Sequence, residues 1–144
     1  MPHTIRAEVE IDAPVARVWE ILVDLDAYAE WNPFTPRVRS SLRVGDPVEM
    51  DVRMHPDRTL ARVERVTACE PEARLCWDMK IGAPFLLAAE RCQVLTPLGS
   101  QRTRYETADC FRGLLVPLML WLYGGAVQRG FESVALALKK RAES

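Results

Sequence analysis

Between Arg112 and Arg129 the sequence carries no charged residue, and this gap opens the longest helical pattern in the chain. The stretch from Gly113 to Arg141 reads as one C-terminal helix. Leu120, Gly124, Val127, Phe131, Val134, Ala135 and Leu138 recur at spacings of three and four, which stacks them on one face. Lys139, Lys140 and Arg141 close it with positive charge where the helix dipole is negative. Such a helix is about 40 Å long, the width of a small domain. The rest of the chain therefore has to supply a cover for it.

The uncharged run is too short and interrupted for a membrane span, which needs about 20 apolar residues. Two readings stay open. It is a core helix covered on both sides, or Leu118, Trp121, Leu122 and Tyr123 line the mouth of an apolar cavity. Gly124 and Gly125 fit the second, since each glycine in a helix interior costs about 1 kcal/mol relative to alanine. A kink or close backbone approach beside a cavity gives a reason to keep them.

The chain has 144 residues, the size of one domain spanning 1–144. A chain of this size buries about 68–70% of its unfolded surface without a metal or disulfide. The net charge is −1, with charges scattered singly, so no nucleic-acid partner is expected. The N-terminal segment MPHTIRAEVEI has no apolar core of signal-peptide length, which points to a cytoplasmic protein. Cys69, Cys76, Cys92 and Cys110 form no CxxC pair and read as free thiols. His3 and His55 sit in no ligand pattern, so neither metal nor cofactor is expected.

From the start, Ile5, Ala7, Val9 and Ile11 alternate with Arg6, Glu8 and Glu10, a half-buried strand. Asp12-Ala13-Pro14 marks a helix start, with Asp12 or its neighbour as cap. Val15, Val18, Trp19, Leu22 and Leu25 give that helix its stripe. Asp26 to Glu30 reads as a second short helix, ended by Trp31-Asn32-Pro33-Phe34. Six strand segments follow: Val38 to Val44, Val48 to Met54, Leu60 to Ala68, Leu75 to Met79, Phe85 to Leu95, and Arg102 to Phe111. Turn signals such as Gly45-Asp46-Pro47, His55-Pro56-Asp57 and Gly82-Ala83-Pro84 separate them. The economical α+β packing is one seven-stranded, curved antiparallel sheet wrapped around the C-terminal helix, with the helix pair plugging one end.

The segment IDAPVARVWEILVDLDAYAEWNPF resembles the opening of the START/Bet v 1-like (SRPBCC) superfamily, in its polyketide cyclase/dehydrase and lipid-transport subgroup. The match runs through Ala13-Pro14-Val15, Val18-Trp19, Leu22, Asp24, Tyr28 and Trp31-Asn32-Pro33. Phe111-Arg112-Gly113-Leu114-Leu115 before the long helix, then Gly130-Phe131 and Leu138-Lys139, are similar too. The resemblance implies a helix-grip fold with an apolar cavity between sheet and helix. It does not imply one reaction, because that scaffold hosts carriers, aromatase/cyclases, receptors and chaperone activators.

The last hairpin supplies the polar candidates. If Arg91, Gln93 and Leu95 share a face with Tyr105, Thr107, Asp109 and Phe111, the opposite face holds Glu90, Arg102, Arg104 and Glu106. The second set is more charged and belongs to water. Arg91 and Asp109 then lie on adjacent inner positions, as a site for a ligand carbonyl or carboxylate or as a structural ion pair. The resemblance implies a histidine and a glutamate at these two positions, and this sequence departs at both. From earlier strands Met50, Val52, Met54, Leu75, Trp77 and Met79 line the same face, either as core or as an adaptable apolar lining. Leu120, Trp121, Gly124 and Val127 join them from the helix. Cys76 and Cys92 face each other on the outer side as small packing residues.

The leading expectation is binding of a small hydrophobic or aromatic molecule, lipid- or polyketide-like, with Arg91, Asp109 and Tyr105 setting its orientation. The alternative is a polyketide aromatase/cyclase or dehydratase, in which Arg91 holds an enolate and Asp109 or Tyr105 moves protons. An unpaired, inward Arg91 favours the enzyme; a locked Arg91–Asp109 pair favours simple binding. A third reading uses Leu114–Tyr123 as a docking or homodimer surface.

Overall fold

A computed structural model describes residues 2–83 and 85–144; Pro84, in the Gly82-Ala83-Pro84 turn, lies outside the described residues. Strand β1 (His3–Ile11) leads into α1 (Val15–Val23), a 3₁₀ turn (Leu25–Ala27) and the single-turn α2 (Tyr28–Trp31). Then come β2 (Arg37–Arg39), β3 (Pro47–His55), β4 (Arg58–Glu70), β5 (Arg74–Ile81), β6 (Leu87–Gly99) and β7 (Arg102–Arg112). The chain closes with one helical run made of α3 (Val116–Met119), a π-helical segment (Leu120–Gly124) and α4 (Gly125–Glu143).

The strands form one antiparallel sheet in the order β1-β7-β6-β5-β4-β3-β2. Six strands meander because short hairpins join them, and β1 pairs with the last strand, Ile5 opposite Asp109. The sheet curls around the long helix as the helix-grip expectation has it. Val127, Phe131, Val134, Ala135 and Leu138 of α4 are buried against it, with Ile5, Ile11 and Leu75. Gln128 Nε2 donates to the Arg6 carbonyl and Lys139 Nζ to the Glu10 carbonyl, so α4 also covers the free edge of β1.

Several boundaries differ from the sequence expectation for local reasons. The strand expected over Val38 to Val44 stops at Arg39. Ser40 Oγ donates to the Pro47 carbonyl and Ser41 Oγ to Asp46 Oδ2, and Leu42 turns to φ +60°, so local bonds displace the ladder. No side chain caps α1: Asp12 instead donates its N–H to Glu143 Oε2, and the Pro14 carbonyl starts the helix. The sixth strand starts at Leu87 rather than Phe85. The Phe85 and Leu86 carbonyls instead accept the Leu114 and Leu115 N–H groups, at 2.9 and 2.8 Å. That contact also delays the long helix to Val116. It requires a glycine at Gly113, where φ is +117° and a Cβ would lie 2.5 Å from the Leu86 oxygen.

One thiol reading is corrected. Cys76 and Cys92 are not free: they face each other across β5 and β6 and are joined as a disulfide. Cys69 and Cys110 are free. No helix among the described residues is long and apolar enough to cross a membrane.

Candidate functional site

Alternation along the curved sheet gives each strand one row of side chains on the concave side. Met50, Val52 and Met54 come from β3, Leu60, Arg62 and Glu64 from β4, and Trp77, Met79 and Ile81 from β5. β6 and β7 add Leu87, Arg91, Asp109 and Phe111. The helical run does not press down on this part of the sheet. Leu115, Leu118, Met119, Leu122, Tyr123, Val127 and Phe131 arch over it and, with Phe34 and Thr35, enclose a cavity of about 240 Å³. This equals the liquid volume of about eight waters. Its walls are mostly aliphatic, aromatic and thioether groups, which suits an apolar guest.

The polar groups cluster at the sheet. Arg91 and Asp109 are direct partners in the β6–β7 register, yet no ion pair joins them among the described residues. Arg91 Nε donates to Thr107 Oγ1 at 2.9 Å, and its guanidinium carbon lies 4.5 Å from the Phe131 ring centre and 5.9 Å from that of Trp77. The cation is held by a hydroxyl and two aromatic faces. Arg91 Nη2 and Asp109 Oδ1 are both buried and make no hydrogen bond to the protein. The Asp109 carboxyl is pushed up from 3.8 to about 7, chiefly by burial and then by the Glu64 charge, with Arg91 pulling the other way. Burial also raises Glu64, against the pull of Arg62.

The sequence candidates divide. Met50, Val52, Met54, Trp77, Met79, Arg91, Asp109 and Val127 line the cavity. Leu75, Gln93, Tyr105 and Thr107 are on the expected face but do not line it: they are buried further along, under α4. The Tyr105 hydroxyl donates to Gln93 Oε1 at 2.6 Å, so these two polar side chains satisfy one another. Leu120, Trp121 and Gly124 are also off the lining, and Trp121 is 81% exposed. The π-helical segment is the cause. An i→i+5 turn slips the helical phase by about one residue, so the face that begins at Leu115 continues through Met119 and Tyr123, not through Leu120 and Gly124.

Arg62 and Glu64 escaped the sequence reading. On β4 the apolar residues Ala61 and Val63 point outward, Val63 being 65% exposed. The alternation therefore inverts the usual in–out rule. Leu60, Arg62, Glu64 and Val66 do share one period-two face, and that was the available signal. Trp31, the last residue of α2, lies outside the cavity, half-buried and edge-on to Tyr28 at 5.1 Å.

A family model described as polyketide cyclase / dehydrase and lipid transport matches residues 2–143. No curated protein sequence matches the chain significantly. Among solved structures, the Zhui aromatase/cyclase from Streptomyces sp. R1128 superposes with a TM-score of 0.80 at 19% identity, covering 99% of this chain and 94% of that one. A START superfamily protein from Mycobacterium smegmatis gives 0.72 at 21% identity, with 98% and 97% covered. A norcoclaurine synthase from Thalictrum flavum gives 0.72 at 12% identity, with 99% and 94% covered. At these identities the likeness is one of fold.

Proposed function

The chain belongs to the polyketide cyclase/dehydrase and lipid-transport family, and from that premise we propose that it binds a small hydrophobic or aromatic molecule between the sheet and the C-terminal helix. One observation carries the reading. The apolar cavity ends on two buried polar atoms without protein partners, Arg91 Nη2 and Asp109 Oδ1. Each such atom costs about 1–3 kcal/mol when left unsatisfied. A guest with an oxygen acceptor facing Arg91 and a hydroxyl or carbonyl facing Asp109 meets both, while its apolar body buries against Met50, Met54, Trp77 and Phe131.

The test is native mass spectrometry of the purified protein, followed by titration with the apolar dye 1-N-phenylnaphthylamine. A retained small molecule, or one-to-one dye uptake quenched by competing hydrophobic phenols, is expected. A protein that carries nothing and takes up no dye refutes the reading.

A second reading is favoured by a separate observation: Arg91 and Asp109 are not locked together, and the Asp109 carboxyl titrates near neutrality. This is the arrangement a polyketide cyclase or dehydratase needs. Asp109 takes a proton from the carbon between two carbonyls, and Arg91 holds the enolate oxygen. The enolate carbon then attacks a second carbonyl carbon, and the new alkoxide takes the proton back from Asp109. Tyr105, committed to Gln93, has no part in these steps. Incubation with a poly-β-ketone thioester tests this. Asp109→Asn is expected to abolish turnover while dye uptake persists, and equal turnover by wild type and variant sinks the catalytic reading.

A further inference from the structure

Eight of the twelve exposed large hydrophobic side chains among the described residues lie at one end of the molecule, around the cavity mouth. The most prominent are Phe85, Leu114 and Trp121, exposed by 65%, 74% and 81%. They are contiguous. The Leu114 N–H donates to the Phe85 carbonyl, and Leu118, one helical turn before Trp121, and Leu122, next to it in the chain, are part of the cavity rim. No charged side chain interrupts residues 113–128. A patch of this kind on a folded chain marks something that covers it.

The flanks of the patch say what covers it. Lys80 and Arg112 both lie opposite Ala88 in the sheet register, one on each side, so they share a single outward row at the strand ends beside Ile81 and Phe85. At the β3–β4 turn of the same end Arg58 is exposed, and Arg53 Nη1 donates to the Pro56 carbonyl. Against these four cations stands one acid at the turn, Asp57; Asp78 and Glu90 come only in the next outward row of the sheet. An apolar, aromatic tip ringed by cations is complementary to an anionic lipid surface. It is a poor face for a second copy, because a two-fold contact would set each ring of cations against itself.

We propose that this protein docks peripherally on anionic phospholipid membranes through Phe85, Leu114, Leu118, Trp121 and Leu122, so that the cavity mouth opens toward the lipid. An apolar guest then passes between bilayer and cavity without crossing water; this transfer half rests on the binding function proposed above, whereas the docking half does not.

The experiment is co-flotation of the full chain with vesicles of phosphatidylcholine alone or mixed with phosphatidylglycerol. Intrinsic tryptophan fluorescence and size-exclusion chromatography run in parallel. Expected are binding to the mixed vesicles with a blue-shifted emission, weakening with salt, and no binding to phosphatidylcholine alone. Trp121→Ser, at a side chain that packs on little, is expected to lower the partition coefficient more than tenfold and remove the blue shift. Lys80→Gln and Arg112→Gln are each expected to lower it about fivefold, leaving dye uptake in buffer unchanged. Absence of binding to the mixed vesicles overturns the proposal, even if dye uptake is normal. So does a concentration-dependent dimer that Trp121→Ser abolishes, or capture of the wild type by an acidic carrier protein with no vesicle binding. Normal docking by a protein that takes up no dye leaves the membrane surface standing and fails the cavity reading alone.

Discussion

Replacing Asp109 by asparagine is expected to make stability less dependent on pH, in a calculable direction. In the folded protein the carboxyl titrates near 7 rather than at its ordinary 3.8. Between those values the native state holds a proton that the unfolded chain releases, so wild-type stability falls as pH rises. The contribution is fully present below about pH 4, fades as the pH climbs to about 7 and is absent above it. The gap corresponds to about 4 kcal/mol at about 1.4 kcal/mol per pH unit, and water entering the cavity mouth makes this an upper limit. Asparagine keeps the shape of the protonated acid and has no charge to bury. Urea melts of both proteins from pH 4 to pH 8 read the difference. At pH 4 the midpoints should coincide, and at pH 8 the variant should lead by up to about 2 M, for a slope near 2 kcal/mol/M. If the two midpoints run parallel across the range, Asp109 is not buried as an acid and the catalytic reading loses its proton carrier.

Other perturbations test neighbouring parts of the argument. Glu64→Gln removes the second-largest cause of the Asp109 shift, and carboxyl ¹³C titration should show the Asp109 midpoint moving below 7. Tyr105→Phe leaves Gln93 Oε1 without its donor under α4 and should destabilise by about 1–3 kcal/mol in chemical denaturation, with dye uptake unchanged. Gly130→Ala places a Cβ 2.2 Å from Phe34 Cδ1, on a ring already set edge-on to Phe131 at 5.9 Å. A loss of about 1–3 kcal/mol is expected in the same assay, despite the better helix former. Reducing the Cys76–Cys92 disulfide, which closes a short loop across β5 and β6, should cost about 3 kcal/mol, read as a lower urea midpoint in reductant.

What the sequence made legible follows from periodicity and its limits. The alternation of Val48 through Met54 and of Leu75 through Met79, and the three-and-four spacing from Val127 to Leu138, are tertiary facts written locally. The inward pairing of Arg91 with Asp109 was readable because the opposite face of that hairpin is so heavily charged. Three features were not. Arg62 and Glu64 point inward only because β4 exposes its apolar alternates, which nothing local announces. The one-residue slip at Leu120–Gly124 depends on how the helix must meet both the Phe85–Leu114 junction and the core. The strand pattern places Cys76 and Cys92 opposite each other, but facing alone does not say that a bond forms.

The π-helical segment makes the C-terminal run behave like two shafts joined by a coupling. Upstream, the angular setting is dictated by the strap that ties Leu114 and Leu115 to the loop before β6; downstream, it is dictated by Phe131 and its neighbours against the sheet. The extra residue lets both settings hold at once. Forced into an unbroken α-helix of the same length, the run would rotate the roof by about 100° relative to the core face, since one residue occupies that angle, whereas deleting one residue between Leu120 and Gly124 would remove the wide turn and keep both faces aligned. In the unbroken helix of full length Leu118 and Met119 would swing away from the cavity while α4 kept its core contacts. Roof and core can therefore vary independently along one continuous helix.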